Sequence, residues 1–170
     1  MAASVRRLSL RDVPRPIAPL LALAVVVTAC VAAADEPGET TSPTNDADRA
    51  AVEAAATDYV EALYLVDPSR IERSVHPDLV KRGFFPDAQG EWHEHMMTYQ
   101  QLHDLAGDWN ADGRVTAATS PWTVTVLDVL DRTASARVTA QWGTDHMHLA
   151  RYDGEWKIIH VLWQEGTPAP

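Results

Sequence analysis

The chain has one cysteine, Cys30, in 170 residues. That count rules out an intrachain disulfide and any metal cluster built on several thiolates. Positive charge is scarce: 14 lysines and arginines stand against 24 acids, for a formal charge of −10. Arg6, Arg7, Arg11 and Arg15 fall in the first 29 residues with a single acid, Asp12, so the remainder is more anionic still. A surface of that sign repels phosphate backbones, and no nucleic-acid partner is expected. Ile17 to Ala29 is an apolar run of thirteen residues, short of the roughly 20 that cross a bilayer. The sequence has no Gly-rich phosphate loop, no Gly-x-Ser-x-Gly and no His-Glu-x-x-His. Nucleotide hydrolysis, serine hydrolysis and zincin chemistry therefore lack their usual signatures, and no cofactor is expected. There is no internal repeat.

What is present begins with an address. The arginines form a positive n-region, the apolar run follows, and the run ends Val27-Thr28-Ala29-Cys30. Small residues before a cleavage point mark a secretory signal. With a cysteine directly after them, the stretch resembles the lipobox of bacterial lipoproteins. The resemblance implies cleavage before Cys30, a diacylglycerol thioether on Cys30, and a lipid-anchored domain in the cell envelope, outside the cytoplasm. An uncleaved anchor, or a plain signal cut near Ala33-Ala34, is the alternative. Arg6-Arg7 is similar to a twin-arginine signal, but Ser9 and Leu10 fit that pattern poorly. One acyl chain binds membranes weakly, so stable anchoring needs several chains on Cys30. Val31 to Asn45 holds Pro37-Gly38, Ser42-Pro43 and three acids, with no large apolar residue after Val31. Such a stretch cannot bury enough surface to offset ordering entropy and reads as a flexible tether. The expected organisation is a signal at 1–29, a tether at 30–47, one domain at 48–164 and a tail at 165–170.

The domain has ordinary globular composition, 46% apolar and 22% charged. Val52, Ala56, Tyr59, Val60 and Leu63 recur at three-to-four spacing and predict an amphipathic helix. Asn45 or Asp46 can cap it, and it stops around Val66. Asp67-Pro68 opens a second helix, with Asp67 as N-cap and Pro68 at the first helical position. His76-Pro77 ends it, because a residue before proline disfavours helix. Leu79 to Phe85 reads as a strand, Asp87 to Gly90 as a turn, and Glu91 to Met97 as a returning strand. Thr98 with Gln101 is a capping box, opening a short helix to about Ala106 that buries Leu102 and Leu105. Gly107 to Pro121 is a long loop. Four strands follow: Trp122–Leu130, Ala134–Trp142, Asp145–Tyr152 and Trp156–Trp163.

Two-residue loops at Gly143-Thr144 and Asp153-Gly154 set the expected register of those strands. One face then collects Trp142, Asp145, Met147, Leu149, Trp156, Ile158, His160 and Leu162, with Ala134, Ala136 and Ala140 leaving room. The opposite face carries His146, His148, Ile159, Val161 and Trp163. The last three form a patch expected to meet a second copy of the chain. The alternation breaks between Val126 and Leu127, which predicts a bulge that bends the sheet. The fold class is α+β: a curved antiparallel sheet wrapped by N-terminal helices into a cone with a central cavity.

The segment Ala140 to Ala150, with Asp153 to Ile158 and Val161 to Gln164, resembles the "putative lumazine-binding" family of the nuclear-transport-factor-2-like superfamily. Asp58 to Glu61, His76 to Arg82 and Asn110 to Gly113 match its pattern upstream. The resemblance covers about residues 48–164. It implies a cone-shaped α+β fold with a central cavity, often dimerising through the sheet. The superfamily includes isomerases, dehydratases and cyclases beside non-catalytic binders, so the fold does not settle function. The chain departs from the family pattern at His146, where the family carries tyrosine, and at His160, where it carries asparagine.

The expected ligand-binding residues are Tyr59, His76, Trp142, Asp145, Met147 and His160. Asp145 and His160, at diagonal positions of neighbouring strands, are candidates for general acid–base work, or else a buried polar pair that orients the sheet. His93-Glu94-His95 and His146-Met147-His148 have spacing a zinc site can use, but a solvated face is the plainer reading, and no metal is expected. Asp108 to Gly113 copies the first half of a calcium loop, yet position twelve is Thr119, so it reads as an Asx-rich turn. His76, Lys81 and Arg82 either bind an anionic group at the cavity mouth or pair with surface acids. The leading functional expectation is a membrane-tethered lipoprotein whose cone domain binds a small apolar or aromatic molecule. The second is an enzyme of the same fold using Asp145 and His160. The third is a dimerising or protein-interaction module with a filled cavity.

Overall fold

The structure, a computed structural model, describes residues 43–166. The signal segment, Cys30 and residues 30–42 of the expected tether lie outside the described residues, while 43–47, also expected as tether, open the first helix. Helix α1 spans Pro43–Tyr64, α2 spans Ser69–Ser74, and α3 spans Tyr99–Asp108. The strands are β1 Val75–Pro86, β2 Trp92–Met97, β3 Thr123–Val129, β4 Thr133–Ala140, β5 Gly143–Tyr152 and β6 Glu155–Gln164. They form one sheet in the order β2-β1-β6-β5-β4-β3. β1 and β6 run parallel; the other neighbours are antiparallel. The expected α+β architecture is found.

The apolar stripe of α1 is its buried face: Val52, Ala56, Tyr59, Val60 and Leu63 are each at most 3% exposed. Burying a Val, Leu or Tyr-sized side chain contributes about 1.5–3 kcal/mol. The helix begins a turn before the caps expected at Asn45 or Asp46. Asp48, on its first turns, is buried for another purpose. It accepts from Arg151 Nη2 at 3.0 Å and from the Trp156 indole at 3.3 Å, pinning the helix to the β5–β6 hairpin. The helix ends where the sequence indicates. Val66 takes φ +56°, and the Asp67 amide reaches back to the Ala62 carbonyl at 2.9 Å. Asp67 Oδ1 then accepts from the amide and hydroxyl of Ser69, as an N-terminal cap of α2 should. The capping box of Thr98 and Gln101 is formed in both directions at the start of α3.

The sheet's inner face packs on these helices, and it differs from expectation in two registers. The β4–β5 turn is Gln141-Trp142, not Gly143-Thr144, because Ala140 pairs with Gly143. Gly143 sits at φ +129° with its α-carbon against the backbone of Gln164, where a side chain would not fit. The pairing moves by an even number of residues, so Asp145, Met147 and Leu149 stay on the inner face as expected. The second difference is a bulge in β6. Leu149 pairs with Ile158 but His148 pairs with His160, leaving Ile159 unopposed. One extra residue flips every side chain beyond it. Val161 and Trp163 therefore turn inward, and His160 and Leu162 turn outward, the reverse of the expected facing. The bulge expected in β3 is present, with Leu127 as its extra residue.

Trp163 is seated on Gly83, its partner in the parallel β1–β6 pairing. A Cβ at Gly83 would lie 1.8 Å from the indole. Gly83→Ala should therefore force the ring aside and cost about 1–3 kcal/mol, the usual penalty of overpacking. Thermal unfolding would register this as a clearly lowered midpoint. An unchanged midpoint would mean the ring does not sit there.

Candidate functional site

A cavity of about 220 Å³ lies between the inner face and the helices. Its wall is drawn from every layer of the fold. α1 supplies Tyr59 and Leu63, β1 supplies Lys81, and β2 ends in Met97. α3 and the residue after it supply Leu102, Leu105 and Trp109; the β4–β5 turn supplies Trp142, and β6 supplies Trp163. Trp109 and Trp142 meet edge to face, ring centres 5.2 Å apart, and both pack on Tyr64. Tyr64 fixes this corner by donating to the Ser120 carbonyl at 3.0 Å and accepting from the Gln141 amide at 3.2 Å. The wall is thus apolar and aromatic.

Its polar end is a buried cluster. Asp145 is 0% exposed and Lys81 5%. Lys81 Nζ donates to Asp145 Oδ1 at 2.9 Å and also to the Tyr59 hydroxyl. That hydroxyl in turn donates to Asp145 Oδ1 at 3.2 Å, and the Trp142 indole donates to Oδ2 at 2.5 Å. Both carboxylate oxygens are occupied, and the two formal charges cancel. Burial raises the Tyr59 phenol well above its ordinary value, and the charge of Asp145 and the hydrogen bond to it add to the effect. Lys81 also lies 5.2 Å from the centre of the Tyr59 ring and 5.5 Å from that of Trp163.

Of the expected ligand residues, the structure brings Tyr59, Trp142 and Asp145 together. Met147 is buried in the core beside them but does not line the cavity. His76 stacks on Tyr152 at 4.3 Å and is not part of the cavity wall. His160 stands exposed on the outer face, tilted against His148, so the expected diagonal with Asp145 does not form. The cause is the Ile159 bulge. The same bulge corrects the expected dimer patch: Val161 is 2% exposed and Trp163 lines the cavity. The apolar side chains that the outer face does expose include Val80, Phe84, Met96 and Leu162.

Of His76, Lys81 and Arg82, expected either at the cavity mouth or paired with surface acids, Lys81 lies inside on buried Asp145, while Arg82 points out and pairs with Glu94. Strand alternation from buried Leu79 through Lys81 to Gly83 was the signal available. Leu63, Met97, Leu102, Leu105 and Trp109 come from separate elements, and no local pattern joins them. The two His-x-His pairs lie on opposite faces, with β1 and β6 between their strands. Asn110 of the calcium-like stretch is 3% exposed and turned inward. Its amide donates to the carbonyls of Tyr64 and Val115 at 2.7 and 2.8 Å, and its oxygen accepts from the Val115 amide. That is the work of a loop pin; the Asx-type contact of this stretch is the Arg114 amide on Asp112 Oδ1 at 3.4 Å.

A model of the family described as "Putative lumazine-binding" matches residues 47–164. No curated protein is similar enough in sequence to count as a match. Among solved structures, a nuclear-transport-factor-2-like protein of unknown function from Silicibacter pomeroyi is 21% identical, with a TM-score of 0.56. The alignment covers 69% of this chain and 94% of that one. Another such protein, from Shewanella baltica, is 14% identical over 75% of this chain and 99% of that one, with a TM-score of 0.53. A "putative scytalone dehydratase" of Novosphingobium aromaticivorans is 13% identical over 73% and 87%, with a TM-score of 0.52. At these identities the likeness is one of fold.

The Tyr59 phenol gives the site a pH signature. Its folded-state pKa is raised, so its contribution to stability is whole below about pH 10 and drains as pH climbs toward the folded value. In a titration followed by phenolate absorbance, one of the four tyrosines should ionise last, and Tyr59→Phe should remove that lagging step. Four tyrosines ionising together near pH 10 would contradict the burial of this hydroxyl.

Proposed function

The chain belongs to the "putative lumazine-binding" family, and from that premise we propose that it is a binding protein for a small, flat, largely apolar ring system. The observation that carries this reading is the 220 Å³ cavity, walled by Tyr59, Trp109, Trp142 and Trp163 and closed at one end by Lys81. Ligand cavities run from about 300 Å³ upward for drug-sized molecules, so this one suits a molecule of one or two rings. The cavity is open space, where an interaction module with a vestigial pocket would have filled it. Acid–base catalysis finds less support. A general base must reach a substrate proton, and both oxygens of Asp145 are already engaged by protein donors. His160 lies on the other face.

We further propose that the domain is held at the cell envelope by a lipid on Cys30. The arginine-rich n-region, the apolar run and the Thr28-Ala29-Cys30 sequence support this. A second copy is assigned to the outer sheet face, where Phe84, Met96 and Leu162 are exposed. Leu162→Asp would then lower the sedimenting mass to that of a monomer.

Lumazine, a flat bicyclic dione, is a fitting probe. Calorimetry should show saturable binding to the wild-type domain and binding at least about tenfold weaker, a loss of some 1.4 kcal/mol, in Leu105→Trp, whose added ring occupies the cavity. Absence of saturable binding, or equal binding by the variant, would remove lumazine-like molecules from this cavity. For the anchor, Cys30→Ser should move the protein from the membrane fraction to the soluble fraction. Unchanged fractionation would overturn lipidation.

A further inference from the structure

The cations of this chain are unevenly chosen. It has twelve arginines and two lysines, Lys81 and Lys157. A buried carboxylate is well met by the planar fork of an arginine, as Arg151 meets Asp48. Asp145, the most deeply buried acid here, is met by a lysine instead. What a lysine offers and an arginine does not is an amine that can lose a proton and act as a nucleophile.

Lys81 stands where such an amine has a use. It lines the cavity, with Nζ 5.2 Å from the centre of the Tyr59 ring and 5.5 Å from that of Trp163, both rings of the same wall. Two of its three ammonium N–H groups are spent, on Asp145 Oδ1 at 2.9 Å and on the Tyr59 hydroxyl. Nζ has no third hydrogen-bond partner among the described residues. Asp145 is thus placed to take a proton from Nζ, while the Tyr59 phenol, raised by burial, keeps its own. Lys157 has no such setting. It is held by the Arg73 carbonyl at 2.5 Å and by Glu155 at 2.9 Å, and it is not part of the cavity wall.

Charge selects the electrophile. An acyl donor would turn the Lys81 amine into a neutral amide and strand buried Asp145 without a counter-ion. An aldehyde brings no such penalty, because its imine forms here as a protonated iminium and the positive charge stays beside Asp145.

We propose that Lys81 captures an aromatic aldehyde as a reversible iminium, which makes the cavity a covalent aldehyde site. The proposal rests on the binding reading above. Nζ passes one proton to Asp145, and its lone pair attacks the aldehyde carbon as the C=O pair moves onto oxygen. A second proton moves from nitrogen to that oxygen. The proton held by Asp145 then returns to the new hydroxyl by way of Tyr59, which hydrogen-bonds to both Asp145 and Nζ. Water leaves, and the nitrogen lone pair closes the C=N bond. One ammonium and one aldehyde give one iminium and one water, with no oxidant, no reductant and no change of net charge. Hydrolysis reverses the step.

The full chain, incubated with 2-naphthaldehyde and cyanoborohydride, which reduces an imine to a stable amine, should gain one naphthylmethyl group. Peptide mass mapping should favour Lys81 over Lys157 by at least about tenfold, because a bound carbonyl is held against one amine only. Lys157 is the control within the same molecule: its side chain is 18% exposed against 6% for Lys81, so undirected chemistry would reach it first. Lys81→Arg keeps a cation beside Asp145 and should abolish the labelling at that position. Leu105→Trp, whose added ring occupies the cavity, should lower labelling of Lys81 about tenfold. Labelling of Lys157 as heavy as that of Lys81, or undiminished labelling in Leu105→Trp, overturns the proposal whether or not the Lys81 variant folds. No label on either lysine overturns it too, and 2-naphthalenemethanol, with the same rings and no electrophilic carbon, then separates the two readings. Saturable binding of that alcohol by calorimetry would leave the cavity as a non-covalent site, and absence of binding would remove the binding reading as well.

Discussion

Lys81 and Asp145 are the constraint on which the site depends. Each is buried, and neither charge is tolerable alone in that environment. They sit on β1 and β5, with β6 between them in the sheet. Joining them at 2.9 Å spans two strand spacings across the inner face, over Val161 and Trp163. Tyr59 brings α1 to the same point, and Trp142 brings the β4–β5 turn. Helix α1, strand β1 and the start of β5 with its turn are thus fixed relative to one another by a single carboxylate. Apolar contacts alone would supply the burial but not this orientation, because dispersion and hydrophobic burial are non-directional.

The bulge at Ile159 decides what the cluster faces. Without the extra residue, Trp163 would be on the outer face and His160 would stand near Asp145. With it, an indole sits over Gly83 and completes the cavity wall, and imidazoles collect outside. This detail was not legible in the sequence. Hairpin turns fix register only near the turn, and the Asp153-Gly154 turn did predict the pairings from Tyr152–Glu155 to Leu149–Ile158. Beyond Ile158 the run Ile159-His160-Val161-Leu162-Trp163 offers apolar residues to both faces, so alternation cannot choose. By contrast the β3 bulge was legible, because there the alternation breaks visibly at Val126-Leu127. The helix stops, the capping box and the inner facing of Asp145 were legible for similar local reasons. The cavity wall was not, since Leu63, Met97, Leu105 and Trp109 meet only through the tertiary fold.

The misplacement of the Gly143 turn is instructive in the other direction. The sequence offered a glycine where a turn was wanted, yet the turn residues are Gln141 and Trp142. The glycine is required beside the turn instead, where the β5 backbone passes Gln164 too closely for any side chain. Trp142 in the turn is what lets its indole reach back to Asp145. A four-residue slip in pairing left every face unchanged, whereas one bulged residue reversed half a strand.

The account's central claim is that Lys81 and Asp145 act as one unit holding the polar end of the cavity. A double-mutant cycle on unfolding free energy, with Lys81→Met and Asp145→Leu, tests it most directly. The account predicts that each single change costs about 3–5 kcal/mol by stranding a buried charge, and that the double change costs far less than their sum. Two small costs that simply add would show that the charges are not coupled and that something else organises the site.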